Sequence, residues 1–316
     1  MFELSKKRQL GDYIVDSFTF FKFFGKHFFR IFFLINTGML LVTGALMYWF
    51  LKINFKFLFD NKLKDAQGDY LLNYFNNSYP LLIGIVVLFV LILVIVSLFN
   101  SSYPILYLKL IAEKNTNDFT SKEILSGFKQ NIWKMLKFSI GMLFIVFPIL
   151  FVTIFLLFFL CLVLIGFPLL VIAIPAIFAF INFSFYSYLT QEKSFFQSLN
   201  HAYILLKKDF WSIIGATFIV MVIIQMIQGS ITLFFYFIGI FIFLGSVLVN
   251  PDFDVKPIEG SPLLLFTITA IFVILLAIST IFNNILVINQ GIIYYSLDTE
   301  NKTSATDIDL IGTHNE

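Results

Sequence analysis

The chain is dominated by long apolar runs separated by short charged stretches, and the lengths of the runs set the elements. A helix rises 1.5 Å per residue, so crossing about 30 Å of hydrocarbon takes roughly 20 apolar residues. Runs of that length extend from about Phe28 to Leu51 and from Leu81 to beyond Tyr107, the latter with Asn100-Ser101-Ser102-Tyr103-Pro104 as an expected kink near its end. From Phe138 to Gln191 no residue is charged. That is too long for one span, and Gly166-Phe167-Pro168 supplies a turn in its middle, which predicts two helices joined by a tight loop. A further uncharged run covers Phe210 to Asn250, long enough to be either one tilted helix or a helix with an interfacial segment. The last runs from about Leu263 to Tyr295. The pattern predicts an all-α integral membrane protein with six transmembrane helices arranged as three hairpins.

Amphipathic stretches precede each hairpin, beginning near Leu10, Thr120 and Ser194, and each is predicted to be a short helix on the cytoplasmic surface. In the first, Phe18, Phe20, Phe21, Phe23 and Phe24 are expected to face lipid. In the second, Ile124, Leu125, Phe128, Ile132, Met135 and Leu136 form the apolar stripe; in the third, Phe195, Phe196, Leu199, Tyr203, Leu206 and Phe210 do so. Thr120-x-x-Glu123 and Ser194-x-x-Gln197 fit the capping box, in which side chains satisfy the free N–H groups of a helix start. Each hairpin leaves the membrane through aromatic residues followed by Leu-x-x-Glu: Tyr107 with Glu113, Tyr186 and Tyr188 with Glu192, Tyr294 and Tyr295 with Glu300. The tyrosines read as a headgroup-level belt. Glu113, Glu192 and Glu300 are candidate contacts for a cytoplasmic protein partner. Residues 1–316 therefore divide into one membrane domain of three repeats, 8–113, 119–192 and 194–300, with a short cytoplasmic tail at 301–316.

Charge fixes the predicted orientation. With the amino terminus inside, the inner segments hold sixteen Lys and Arg residues and the outer loops five, at Lys52, Lys56, Lys62, Lys64 and Lys256. Positive loops stay in the cytoplasm, so both termini are expected there, and in a bacterium the membrane is the inner one. The first apolar run starts too late for a cleavable signal peptide. Apolar residues make up 59% of the chain and charged residues 13%, against about 25% charged in a soluble domain, which leaves no room for a separate soluble module. A net charge of +2 gives no reason to expect a nucleic-acid partner. Membrane lipids are the expected surroundings.

Candidate chemistry is sparse. The second and third hairpins carry no Asp, Glu, Lys, Arg or His in their spans, which argues against a proton-coupled pump, a voltage sensor or an intramembrane carboxylate protease. Asn100, Asn182, Asn283, Asn284, Asn289 and Gln290 are the candidate polar residues, either bonding between helices or lining a cavity, with Asn284 and Asn182 the first choice for a lining. His27, His201 and His314 are scattered and read as surface residues. Asp252-x-Asp254 lacks the further oxygen ligands of a calcium site, and the single Cys161 forms no redox or metal motif. No nucleotide, hydrolase or metalloprotease motif is present, so no catalytic residue, cofactor or metal is expected.

Leu10-Gly11-Asp12-Tyr13-Ile14-Val15-Asp16-Ser17-Phe18 and Ser198-Leu199-Asn200-His201-Ala202-Tyr203-Ile204-Leu205-Leu206-Lys207-Lys208-Asp209-Phe210-Trp211 resemble segments of a group of bacterial six-span proteins. That group is related to the membrane domain that precedes some glycerophosphodiester phosphodiesterases. The ending Ile308-Asp309-Leu310-Ile311-Gly312 and the 44 phenylalanines resemble its Bacteroidetes-type members. The resemblance implies architecture alone, because the group has no established common activity, and without a phosphodiesterase domain no catalytic residue carries over. The expectation is a non-enzymatic accessory, scaffold or membrane-organising subunit; the alternative is a transporter or binder of a lipid or small hydrophobic compound.

Overall fold

The computed structural model describes residues 2–59, 67–249 and 262–312; the side chains at 50, 53–59, 67–83, 85, 86, 89, 242–249, 262–264 and 300–312 are outside that description. Among the described residues the chain is helical with short irregular connections and no strand. Its elements are α1 (Leu10–Phe59), α2 (Gln67–Lys114), α3 (Ser121–Gly141), α4 (Phe147–Leu160), α5 (Gly166–Thr190), α6 (Phe195–Lys208), α7 (Phe210–Val249) and α8 (Pro262–Gly312). Among the described residues six helices are long and apolar enough to cross a membrane, and the protein is a multi-pass membrane protein. The uncharged run after Phe210 is one helix, α7.

Two of the three amphipathic stretches are not separate helices. Residues 11–27 continue into the first span within α1, because nothing between them breaks the helix. Likewise α3 runs into α4 through a π-helical turn at Met142–Val146, next to Pro148. Pro lacks an N–H, and a wider turn absorbs the missing bond without ending the helix. Only α6 stands apart, ended at Asp209, whose φ of −140° and ψ of 54° leave the helical region. Both capping boxes form: the Thr120 N–H donates to Glu123 Oε1 at 3.1 Å, and the Ser194 N–H to Gln197 Oε1 at 3.0 Å. The tight loop between α4 and α5 is a 3-10 turn at Cys161–Val163 closed by Leu164 at φ 63°. Gly166 begins α5, where a Cβ would collide with the backbone of residues 157–161.

By packing, the chain forms two compact units. The first comprises Met1–Phe33, Leu98–Gln225 and Phe282–Glu316, and the second Leu34–Ser97 and Met226–Ile281. The division leaves the second predicted hairpin whole and cuts the other two. In the second unit, Gly44 lets α1 approach Val273 of α8, and Gln228 Nε2 donates to Ser279 Oγ at 3.3 Å, joining α7 to α8.

The first unit holds most of the described core. Phe20, Phe28 and Phe32 of α1 close on Tyr103 and Tyr107 of α2, with ring centroids of Phe28 4.8 Å from both tyrosines. Here the structure corrects two expectations. Phe20 is fully buried and does not face lipid, while Phe18 and Phe23 are exposed. Tyr103, Tyr107, Tyr186 and Tyr294 are also fully buried, so they are core residues and not a headgroup belt. Their hydroxyls are satisfied inside: Tyr103 donates to the Phe28 carbonyl at 2.6 Å and Tyr186 to the Val287 carbonyl at 2.9 Å. A tyrosine with an internal acceptor loses little by leaving water.

The predicted α6 stripe turns away from the core of the unit, toward the side that lipid would cover. Ser198, Ala202 and Leu205 are buried, whereas Phe196 and Tyr203 are exposed. Between membrane helices small residues permit close backbone approach, and large apolar side chains meet no penalty outside. In α3 the stripe expected to lie against lipid turns inward instead, through Ile124, Phe128 and Met135.

Candidate functional site

The polar side chains of the first unit gather into three clusters. The first joins the end of α5, α6 and the last part of α8. The Ser194–Gln197 cap fixes the start of α6, and Phe195 is seated against Gly141, where any Cβ would strike its ring. This start brings His201 one face round to α5 and α8. His201 Nδ1 lies 3.1 Å from Ser187 Oγ, and its Nε2 lies 3.5 Å from Asp298 Oδ1. Gln191 Nε2 donates to the same Asp298 oxygen at 2.8 Å. The side chains of His201 and Asp298 are 13% and 11% exposed. Tyr294 packs beside them, stacked on Tyr186 with ring centroids 5.4 Å apart.

Serine, histidine and aspartate in hydrogen-bonding order are the residue types of an acyl-transfer triad. Such chemistry needs an accessible hydroxyl and N–H donors aimed at a developing oxyanion. Ser187 is fully buried in the interior of α5, where neighbouring N–H groups serve the helix. The arrangement instead ties the end of α5 to α6 and α8. His201→Ala leaves the Asp298 carboxylate with a weaker set of donors, and a loss of about 1–3 kcal/mol is expected from such a change. Thermal unfolding in detergent checks it, and combining H201A with D298N should cost less than the two single losses added, because the pair acts as a unit.

The second cluster holds the amino-terminal segment. The Arg8 side chain is fully buried; its Nε donates to Asp16 Oδ2 at 2.7 Å, and its terminal nitrogens donate to the carbonyls of Leu4, Lys6 and Glu3 at 2.7, 3.2 and 2.5 Å. Lys6 Nζ reaches the same Asp16 oxygen at 2.8 Å. The rigid guanidinium fork suits this many acceptors. Asp16 lies before the apolar run of α1. Desolvation pushes its carboxyl up, but the hydrogen bonds and charges of Lys6 and Arg8 outweigh that and hold it below the usual carboxylate range. A carboxyl lowered by folding adds stability above its unfolded pKa of about 3.9, and that contribution is lost as pH falls through the folded value. Nearby, His27 bridges α1 to α2 and to the segment before α3: Nε2 is 3.0 Å from the Phe119 carbonyl and Nδ1 2.8 Å from the Tyr107 hydroxyl. A carbonyl only accepts, so in the neutral ring Nε2 carries the proton and Nδ1 accepts from Tyr107.

The third cluster contains the amides of α8. Asn289 Nδ2 donates to Ser17 Oγ at 2.8 Å and to the Tyr13 carbonyl at 3.2 Å. Gln290 Nε2 donates to Thr217 Oγ1 and to Asn289 Oδ1, both at 3.0 Å. Together they tie α8 to α1 and α7. Asn284 is fully buried, yet among the described residues neither of its amide atoms has a hydrogen-bond partner. Asn182 Nδ2 donates within its own helix to the Phe178 carbonyl at 2.8 Å, and no hydrogen bond joins it to Asn284. Asn100 and Asn283 are half-buried.

Glu113 is largely exposed and lies 3.9 Å from Lys109 one turn back. Glu192, 86% exposed at φ 54°, lies 3.9 Å from Lys134. The side chain of Glu300, the Asp252-x-Asp254 pair and His314 lie outside the described residues. Among the described residues no group of three His, Cys, Asp or Glu side chains is placed to hold a metal.

The structure corrects the reading of His27 and His201 as surface residues. Both sit inside interhelix networks. Their partners are remote in sequence, and the one local signal was position: His201 shares the face of α6 that carries Ser198, Ala202 and Leu205. Arg8 and Asp16 were legible only as a basic residue and a residue of the resembling segment. Compared with known proteins, the chain matches no family model, no curated sequence and no solved structure.

Proposed function

We propose that the chain is a non-enzymatic accessory or membrane-organising subunit of a bacterial inner membrane, with both termini in the cytoplasm. The observation that carries this reading is α4. None of its 14 residues is buried, although Phe151, Phe155, Leu156 and Phe158 are among the largest apolar side chains of the spans. A stretch of span whose side chains all stay out of the core is suited to packing against another protein's helix as well as against lipid. The distribution of Lys and Arg supports the orientation, and the resemblance of the two quoted segments supports the bacterial setting. A photo-crosslinking residue placed at Phe151 or Phe158 tests the reading in native membranes. A discrete protein adduct is expected; adducts to lipid alone count against it.

A second reading, a binder or transporter of a lipid or small hydrophobic compound, is favoured by Asn284. An amide buried without partners costs about 1–3 kcal/mol, which a polar group of a bound compound would offset. Under the accessory reading Asn284→Leu leaves stability unchanged or raises it by about 1 kcal/mol, since an unsatisfied amide is replaced by an apolar group of similar size. A destabilised variant that has lost a co-purifying compound would favour the second reading. Thermal unfolding paired with mass spectrometry of extracted small molecules distinguishes them.

A further inference from the structure

Below the start of α1, the amino-terminal segment folds back to wall a cavity of about 620 Å³, within the ordinary range of ligand sites. We propose that this cavity binds an anionic phospholipid, an inference that does not depend on the accessory reading. One wall is residues 2–5, held in place by the buried Arg8 guanidinium through the carbonyls of Glu3, Leu4 and Lys6. The apolar floor is formed by Phe2, Leu4, Phe23, Phe24 and Ile111. The rim is the exposed turn after α2, Asn115-Thr116-Asn117, which offers amide and hydroxyl groups. An aromatic floor under an amide rim fits an acyl chain joined to a polar headgroup.

Charge selects the kind of headgroup. Lys22, Lys26 and Arg30 recur at four-residue spacing along α1, all exposed, and they flank the cavity residues Phe23 and Phe24. None has an acidic partner among the described residues. After Arg30, α1 carries no charge until Lys52, so Arg30 marks the edge of the apolar run. Lys26 then lies about 6 Å beyond it along the axis, at the depth of phosphate groups, and Lys22 about 12 Å beyond, on the water side of them. Glu3 is the one charged side chain on the cavity wall itself, and the three cations stand beside the wall on α1.

The test uses the full chain in nanodiscs of mixed phosphatidylglycerol and phosphatidylcholine, released into a mild detergent and read by native mass spectrometry for retained lipid. The wild type should retain phosphatidylglycerol preferentially. K22A/K26A/R30A should lower the glycerol-to-choline retention ratio by at least tenfold, given roughly fivefold per cation near an anionic surface. Phe23 is 58% exposed, so Phe23→Ser should leave thermal unfolding unchanged while lowering total retained phosphatidylglycerol severalfold. Equal retention of both lipids by the wild type overturns the proposal. So does an unaffected Phe23→Ser, which would reduce the lysines to general surface attraction, or full displacement of the lipid by inorganic phosphate, which would make the site one for free anions.

Discussion

Gly291→Leu is expected to be the most damaging single substitution in the first unit, lowering stability by at least about 3 kcal/mol. Gly291 lies in α8 where α2 and α5 come closest: a Cβ there would overlap the Leu108 side chain and the Tyr186 ring and hydroxyl. Leu108 and Tyr186 are both fully buried, so neither can swing into free space. Tyr186 would have to retreat, breaking its hydrogen bond to the Val287 carbonyl and its stacking on Tyr294. The disturbance thus passes to Thr190, which lies 3.5 Å from the Tyr294 hydroxyl, and to the His201 clamp beyond it. Gly291→Ala should show the same effect in smaller measure. Thermal unfolding and size-exclusion profiles in detergent check both; a Gly291→Leu protein with wild-type behaviour would mean the three helices do not meet as described.

Asn289→Ala is expected to cost about 2–3 kcal/mol, more than an average interhelix hydrogen bond of roughly 0.6 kcal/mol. The difference comes from the groups left behind. Ser17, Gln290 and Thr217 are fully buried, and the Gln290 Oε1 atom already lacks a partner among the described residues. Removing the Asn289 side-chain amide takes one of the two acceptors from Gln290 Nε2 and the Nδ2 donor from Ser17 Oγ. Ser17 keeps its own bond to the Tyr13 carbonyl at 2.7 Å, which limits the loss. Asn289→Ala combined with Gln290→Leu and Thr217→Val should recover much of the stability, because it replaces a broken network by apolar contacts. The same unfolding measurement reads this; additive losses across the three changes would show that the side chains do not form one network.

The six spans and the turn near Gly166 were legible because a membrane crossing is a matter of length and apolarity, both visible along the chain. The capping boxes were legible because they are local. What was not legible follows from the surroundings. An amphipathic stripe next to a bilayer can face either lipid or protein, and only tertiary packing turns Ile124, Phe128 and Met135 of α3 inward while Phe196 and Tyr203 of α6 stay outward. The same reasoning hid Tyr107 and Tyr294, whose place at helix ends suggests a headgroup belt while their hydroxyls bond within the unit. His201 with Asp298, and His27 with Phe119, are joined only by tertiary packing, and no spacing in the chain announces them. Of the candidate amides, Asn289 and Gln290 lie in one bonded network, whereas Asn284 and Asn182 share no hydrogen bond.

Purification of the tagged protein from its native membrane in a mild detergent, with mass spectrometry of everything retained in stoichiometric amount, tests the central claim most directly. The account predicts a defined protein partner at fixed ratio, reduced when the exposed face of α4 is altered at Phe151 and Phe158. A partner-free protein that moves a solute across proteoliposomes would contradict it.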